Sequence, residues 1–287
     1  MTSSTSFLLG GDLPVNRIGF GAMRLASNGM GAPARDPETA MLVLQRAVEL
    51  GVNHIDTAAF YVSDDRRVRA NTLIREALLP YQDDLVIATK VGPALLSGGG
   101  MRLASEPHEL RTLVETNLNE LGLDRLDIVY LRAGGGLAPD PAQSIASRYE
   151  ALAELRAEGL IRHLALSNVT SGQLSEARTI APVVAVQNNF HAGRRDDASL
   201  LLECERSGIA FIPFFPLGGG MTDLATGHIA DIAARHNATV AQIALAWLLA
   251  TSPTILAIPG TGSLDHLAEN MAAASITLTE DDLTLLA

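Results

Sequence analysis

Along the chain, short apolar runs alternate with longer stretches in which apolar residues recur every three or four positions. The runs are RIGFGAM (17–23), HIDTA (54–58), LVIATKV (85–91), LDIVYLR (126–132), IRHLALSN (161–168), VVAVQNNF (183–190), IAFIPFF (209–215) and ILAIPG (255–260), eight in all. The stretches between them read as helices. In ETAMLVLQRAVEL, Met41, Leu44 and Val48 fall on one face, and in TVAQIALAWLLA so do Val240, Ile243, Ala244 and Trp247, with Trp247 expected in the core. Gly51, Gly122, Gly159 and Gly208 each follow a helical stretch, where a C-terminal cap is needed before the next strand. Strand and helix in regular alternation predict a parallel sheet. Eight such units at this spacing predict an α/β fold closed into a (β/α)8 TIM barrel, with an open doubly wound sheet as the second choice. The leading FLLGGDLPVNRIG (7–19) reads as a small hairpin at the barrel floor, and no linker divides the chain, so one domain is expected over residues 1–287.

Composition narrows what such a barrel can do. Hydrophobic residues make up 47% and charged residues 18% of 287, enough for a large core. The net charge of −11 argues against a nucleic-acid partner, although it leaves room for a local phosphate site. The single cysteine, Cys204, excludes an intrachain disulfide, fits a reducing compartment and reads as core filler. MTSSTSFLLGG lacks the basic start and long apolar stretch of a signal peptide, and no uncharged run is long enough to span a bilayer. A soluble, cytoplasmic protein is the expectation.

Barrel chemistry sits where strands end. The second strand delivers Asp56 and the loop residue Tyr61, the third Lys90, the fourth Arg132, the fifth Ser167 and Asn168, the sixth Gln187 and Asn188, and the seventh Phe214 and Phe215. Taken singly, each has an ordinary explanation as a turn former, a solvated strand end or a rim aromatic. Together, a carboxylate can position an ammonium, and the ammonium can sit beside a phenol. A free tyrosine titrates near about 10, too high for easy proton exchange at neutrality. A cation ~4 Å away contributes up to ~4 kcal/mol at an effective dielectric of about 20, or roughly three pKa units before desolvation and the opposing Asp56 are discounted, so Lys90 is expected to lower the Tyr61 pKa, and a shift of about one or two units is enough to matter. A proton donor facing a carbonyl still needs a hydride, which no side chain supplies.

The stretches GFGAMRL (19–25), HIDTAAFY (54–61), ATKVG (88–92), SN (167–168), PLGGG (216–220) and IPGTGSLDHLAEN (258–270) resemble, in this order, the aldo-keto reductase family across nearly the whole chain. That family is a TIM barrel that binds NAD(P)H without a Rossmann fingerprint and reduces aldehydes and ketones, in accord with the lack of a well-spaced GxGxxG motif. The resemblance implies that Tyr61 is the general acid, Lys90 its tuning cation and Asp56 the anchor of the lysine. It implies a cofactor site made of Gly21, Met23, Asp56, Ser167, Asn168, Gln187, Phe214, Phe215, Pro216, Leu217, Gly218, Ile258, Pro259, Gly260, Thr261, Gly262, Ser263, His266, Glu269 and Asn270. Ser167, Asn168 and Gln187 would hold the nicotinamide carboxamide, and Phe214 replaces a stacking tyrosine. Phe215 replaces a serine, which removes a hydrogen bond to the phosphate bridge. Ser263 opens a helix whose free N–H groups can receive a phosphate; a plain helix cap is the ordinary reading. Many NADPH-using relatives carry a lysine and an arginine around positions 262 and 266, where this chain has Gly262 and His266. NADPH/NADP+ is the expected cofactor and NADH the second candidate; if His266 pairs with the 2′-phosphate, NADPH affinity weakens as pH rises.

The fourth catalytic position departs from the family: Arg132 stands where a histidine donates to the substrate carbonyl, as in some bacterial branches. The ordinary reading pairs Arg132 with Asp127 or a loop carboxylate. The catalytic reading makes it a substitute donor of fixed charge. Three functions follow: an NADPH-dependent carbonyl reductase, a weakly catalytic NADP(H)-binding regulatory or redox-sensing protein, and, by fold analogy, an aldolase using Lys90 as a Schiff base. His54 reads as a satisfied interior side chain. His163, His191 and His236 lack partners at ligand spacing, so no metal site is expected. The small residues after Arg132 leave room for a small-molecule carbonyl substrate, the pocket is expected to be open, and a monomer is the default.

Overall fold

The computed structural model describes residues 5–29, 32–225 and 227–286. Its strands are β1 (Ser6–Leu9), β2 (Leu13–Asn16), β3 (Phe20–Gly21), β4 (His54–Asp56), β5 (Val86–Val91), β6 (Pro93–Leu95), β7 (Met101–Leu103), β8 (Leu126–Arg132), β9 (Ile161–Ser167), β10 (Ala185–Gln187) and β11 (Ala210–Phe211). Seven of these form one parallel sheet in the order β11-β10-β9-β8-β5-β4-β3. The eighth apolar run closes it: Ile255 bridges to Phe211 on one side, and Ala257 bridges to Ile18 on the other. Leu256 N–H donates to the Phe211 carbonyl at 3.0 Å and Gly19 N–H to that of Ala257 at 2.8 Å, so the sheet has no free edge there. The chain is a (β/α)8 barrel.

Strand alternation divides the apolar side chains between two cores. Ile87, Val129, Leu164, Val186 and Phe211 face outward to the helices, whereas Val86, Ile128, Tyr130, Ala165, Ala185 and Leu256 face inward. The inward set also contains Leu9, Leu13 and Val15, because β1 and β2 pair as the expected antiparallel hairpin and plug the barrel floor.

The helices follow their local signals. Pro37–Glu49 begins with Asp36 accepting from Thr39 N–H at 3.0 Å and is followed by Gly51 at φ 91°. Its fully buried face is Ala40, Val43, Leu44 and Ala47, with Met41 and Val48 half-buried beside it, a small rotation from the expected stripe. Val240–Thr251 is covered by neighbouring helices as well as the barrel, so Leu245, Ala246 and Leu248 are buried along with the expected Ile243, Ala244 and Trp247. Trp247 stacks on Phe190 with centroids 5.9 Å apart. Among the described residues, no helix is long and apolar enough to cross a membrane.

Where the first and eighth strands meet, side chains are excluded. A Cβ on Gly21 would lie 2.7 Å from the Ile258 carbonyl oxygen, and one on Gly260 would collide with the Gly21 carbonyl, which keeps bare backbone at the open end of the barrel.

Candidate active site

Asp56 ends β4, and the register sets it opposite Ala88, so Lys90 stands one inward position higher on β5. Both side chains are buried, with 4% and 2% of their surface exposed. Lys90 Nζ donates to Asp56 Oδ1 at 2.5 Å and to the Thr57 carbonyl at 3.1 Å, while Gln187 Nε2 donates to Asp56 Oδ2 at 2.8 Å. Burial works to discharge Lys90, but the charges and hydrogen bonds of Asp56 and Tyr61 outweigh it and hold the ammonium above its ordinary pKa.

Tyr61 lies in the turn leaving β4. Its ring is edge-on to Phe60, with centroids 5.1 Å apart, and its centroid is 4.8 Å from Lys90 Nζ. The phenol titrates above the ordinary tyrosine value, which corrects the expectation of a lowered pKa. Burial is the largest influence; Lys90 and Arg132 pull the pKa down and Asp56 pushes it up, leaving burial dominant. Below Asp56, His54 is also interior, yet neither ring nitrogen has a partner among the described residues, and burial lowers its pKa to about 4. The interior placement agrees with the sequence reading; the expected hydrogen bonds are missing.

Arg132, the last residue of β8, donates from Nη1 to Ser167 Oγ at 3.3 Å and from Nη2 to the Gly136 carbonyl at 2.7 Å. Its guanidinium lies 5.3 Å from the Phe214 ring centroid. It forms no ion pair with a carboxylate among the described residues, and Asp127 instead accepts from Ile87 N–H at 3.1 Å. A cavity of about 430 Å³ brings Tyr61, Lys90, Arg132 and Gln187 together. Phe60, Leu137, Phe214, Phe215, Met101 and Leu103 supply apolar walls. Met101 and Leu103 belong to β7, which pairs with β6 as a hairpin over the cavity. The sequence reading passed over this hairpin, although the Ser97–Gly100 turn, with Gly99 and Gly100 at positive φ, was its signal.

Two further cavities continue from the first. One of about 450 Å³ shares Met23, Tyr61, Phe214 and Phe215 with it and extends past Gly21, Asp56, Pro216, Leu217, Ile258, Pro259 and Gly260. The next, of about 410 Å³, is reached through Arg24, Leu217, Gly260 and His266 and is lined by Thr261, Gly262, Glu269 and Asn270. The groove therefore runs from Tyr61 to the start of the helix Leu264–Ala272.

Most of the residues expected at a dinucleotide site meet along this groove, with exceptions. Gly218 is buried behind the wall, where Gly219 and Gly220 line the groove instead. Ser263 acts as a helix cap, its Oγ accepting from His266 N–H at 3.4 Å, and its own N–H donates to Thr261 Oγ1 at 3.0 Å. Ser167 and Asn168 are fully buried, and Asn188 is occupied by Val169, at 3.0 Å and 2.8 Å. Asn168 Oδ1 and Gln187 Oε1 are buried without partners among the described residues, and of the two only Gln187 lines the cavity. Arg24 and Arg35 also line the far cavity; the sequence reading gave neither a role, although GFGAMRL (19–25) contains Arg24, because both lie far along the chain from Gly262 and His266.

A barrel with a buried carboxylate–ammonium–phenol cluster at its open end defines an oxidoreductase class, and residues 17–287 match the aldo/keto reductase family, to which this chain belongs. The chain is 47% identical to pyridoxine 4-dehydrogenase of Escherichia coli over 285 residues, 99% of this chain and 98% of the relative. Its fold is similar to that of a thermostable aldo-keto reductase crystallised with the inhibitor epalrestat (29% identity, TM-score 0.83, covering 99% and 98% of the two chains). It is likewise similar to an aldo/keto reductase from Klebsiella pneumoniae in complex with NADP and acetate (26% identity, TM-score 0.81, 99% and 94%).

Proposed function

We propose that this protein interconverts an aldehyde and its alcohol with NADP(H), and that its substrate is a planar aromatic hydroxyaldehyde of the pyridoxal type. The observation that carries the reading is the shared cavity of Tyr61 and Arg132, two donors at one apolar slot, with no carboxylate neutralising the arginine among the described residues. When bound, the nicotinamide supplies or accepts the hydride. Gln187 Oε1, without a partner among the described residues, suits its carboxamide, and the Phe214 ring suits its flat face.

The residues of the chain then do the remaining work. In reduction, the carbonyl carbon gains a hydride and Tyr61 O–H gives its proton to the oxygen, so that an alcohol forms and a phenolate remains. The Lys90 ammonium stabilises that phenolate until solvent returns the proton. Asp56 and Gln187 keep the ammonium in place. Arg132, anchored on Ser167 and Gly136, directs fixed positive charge at the oxygen as it becomes alkoxide-like. A planar guanidinium can also contact a phenolate ortho to the aldehyde, which a single imidazole N–H cannot do at the same time. The 47% identical pyridoxine 4-dehydrogenase supports this substrate class.

The test is NADPH consumption by the purified protein with pyridoxal, with benzaldehyde, which lacks the ortho hydroxyl, and with an aliphatic aldehyde of similar volume. Higher kcat/KM for pyridoxal supports the whole reading. Equal rates would leave a general aldehyde reductase, and tight NADPH binding without turnover of any carbonyl would favour a sensing role.

A further inference from the structure

The positions around 262 and 266 carry no lysine or arginine here, yet the far end of the groove is not short of cations. Arg35 reaches over Gly262: a Cβ on that glycine would lie 2.7 Å from Arg35 Cζ, so the guanidinium fills the space a side chain at 262 would take. Its backbone is tied down, with Arg35 N–H donating to the Ala26 carbonyl at 3.0 Å and Ser27 bridging to Ala34. Arg35 Nη2 donates to the Asn28 side chain, while its Nε is buried and has no partner among the described residues. Arg24 stands beside it, bonded to the Asn28 and Gly219 carbonyls at 2.9 Å each. Neither arginine pairs with a carboxylate among the described residues, and both line the cavity of about 410 Å³. Glu269 lines the same cavity but forms no ion pair with either arginine among the described residues, so in a chain of net charge −11 the two cations at the end of the groove make a place for an anion.

We infer that Arg35 is the specificity-determining residue for a phosphate on the adenosine ribose: it replaces, from the loop after the first barrel strand, the cation that relatives carry near position 262. Gly262 is then the absence of a side chain that would collide with Arg35, and Arg24 adds a second charge. The inference rests on the reading of the groove as a dinucleotide site, and it names which residue makes that site prefer NADP(H) over NAD(H).

The test is calorimetric titration of the whole protein with NADP+, NAD+ and 2′,5′-ADP. In the wild type NADP+ binds more tightly than NAD+. Arg35→Ala lowers affinity for NADP+ and 2′,5′-ADP by about tenfold to a hundredfold, the loss expected for one charge-assisted bond, with a much smaller change for NAD+. Gly262 has ordinary negative-φ backbone, so an arginine can be installed there. The double variant Arg35→Ala/Gly262→Arg regains the NADP+ preference, which a merely structural role for Arg35 would not allow. Thermal melts of Arg35→Ala and Arg35→Lys check folding. If the wild type prefers NADP+ and Arg35→Ala preserves that preference, the inference falls and the cofactor reading stands. If the wild type binds neither dinucleotide, the cofactor reading itself falls, and the inference with it.

Discussion

Replacing Arg132 by methionine keeps an unbranched side chain against Phe214 and removes the guanidinium facing Tyr61. A unit charge about 4 Å from a full alkoxide is worth up to ~4 kcal/mol at an effective dielectric of about 20. The ground-state carbonyl already collects part of this, and only the difference speeds the reaction. About 3 kcal/mol is left, or about a hundredfold in kcat, within the range found for loss of one oxyanion donor. Arg132 is anchored by Ser167 at 3.3 Å and Gly136 at 2.7 Å, so little reorganisation offsets this gain. A second readout is independent of the donor role. Arg132 is one of the influences that lower the Tyr61 pKa, so its removal raises the phenol further. Reduction needs the protonated phenol and stays flat through neutrality, whereas alcohol oxidation needs the phenolate, and its rising limb moves to higher pH. Steady-state kinetics in both directions from about pH 6 to about pH 11.5 measure both effects, and Arg132→His should restore part of kcat while adding a limb near ~6.5. An Arg132→Met enzyme with wild-type kcat and an unmoved oxidation limb would refute the reasoning.

Asp56→Asn leaves the Lys90 ammonium buried without its counter-charge and should cost about 3–5 kcal/mol of stability together with most of the activity; urea melts against wild type decide it, and an unchanged midpoint counts against the pair. His54 has a folded pKa of about 4, below its unfolded value, so the unfolded chain binds the extra proton in between. Its contribution is complete above about pH 6.5 and is lost as pH falls toward 4, by about 3 kcal/mol; His54→Leu should flatten the fall of Tm over that interval, and an equally steep fall in the variant would exclude His54 as its source. Burial pushes the Cys204 thiol up to about 12, so native protein at neutral pH should resist thiol reagents that label it promptly in denaturant, and rapid native labelling would contradict that placement.

The features legible in the amino-acid order alone are those that repeat or signal locally. Eight apolar runs separated by helical periodicity define the barrel, because each run carries its own strand signal and each of Gly51, Gly122, Gly159 and Gly208 adopts the positive φ of a helix end. Asp56, Tyr61, Lys90 and Arg132 were legible for the same reason: each sits at or just beyond a strand end, and a barrel brings such ends to one mouth. How those groups behave depends on the folded surroundings. The height of the Tyr61 pKa is a balance in which burial and Asp56 of β4 raise it while Lys90 of β5 and Arg132 of β8 lower it, and no single segment holds that balance. Gln187 reaches Asp56 across 131 residues of sequence because β10 and β4 share a barrel interior. Arg35 lies over Gly262 only because the first and eighth strands close the ring, which sets an arginine from near the start of the chain over a glycine near its end. Periodicity is a property of neighbouring residues, whereas burial, charge balance and register depend on which distant segments the closed barrel brings together.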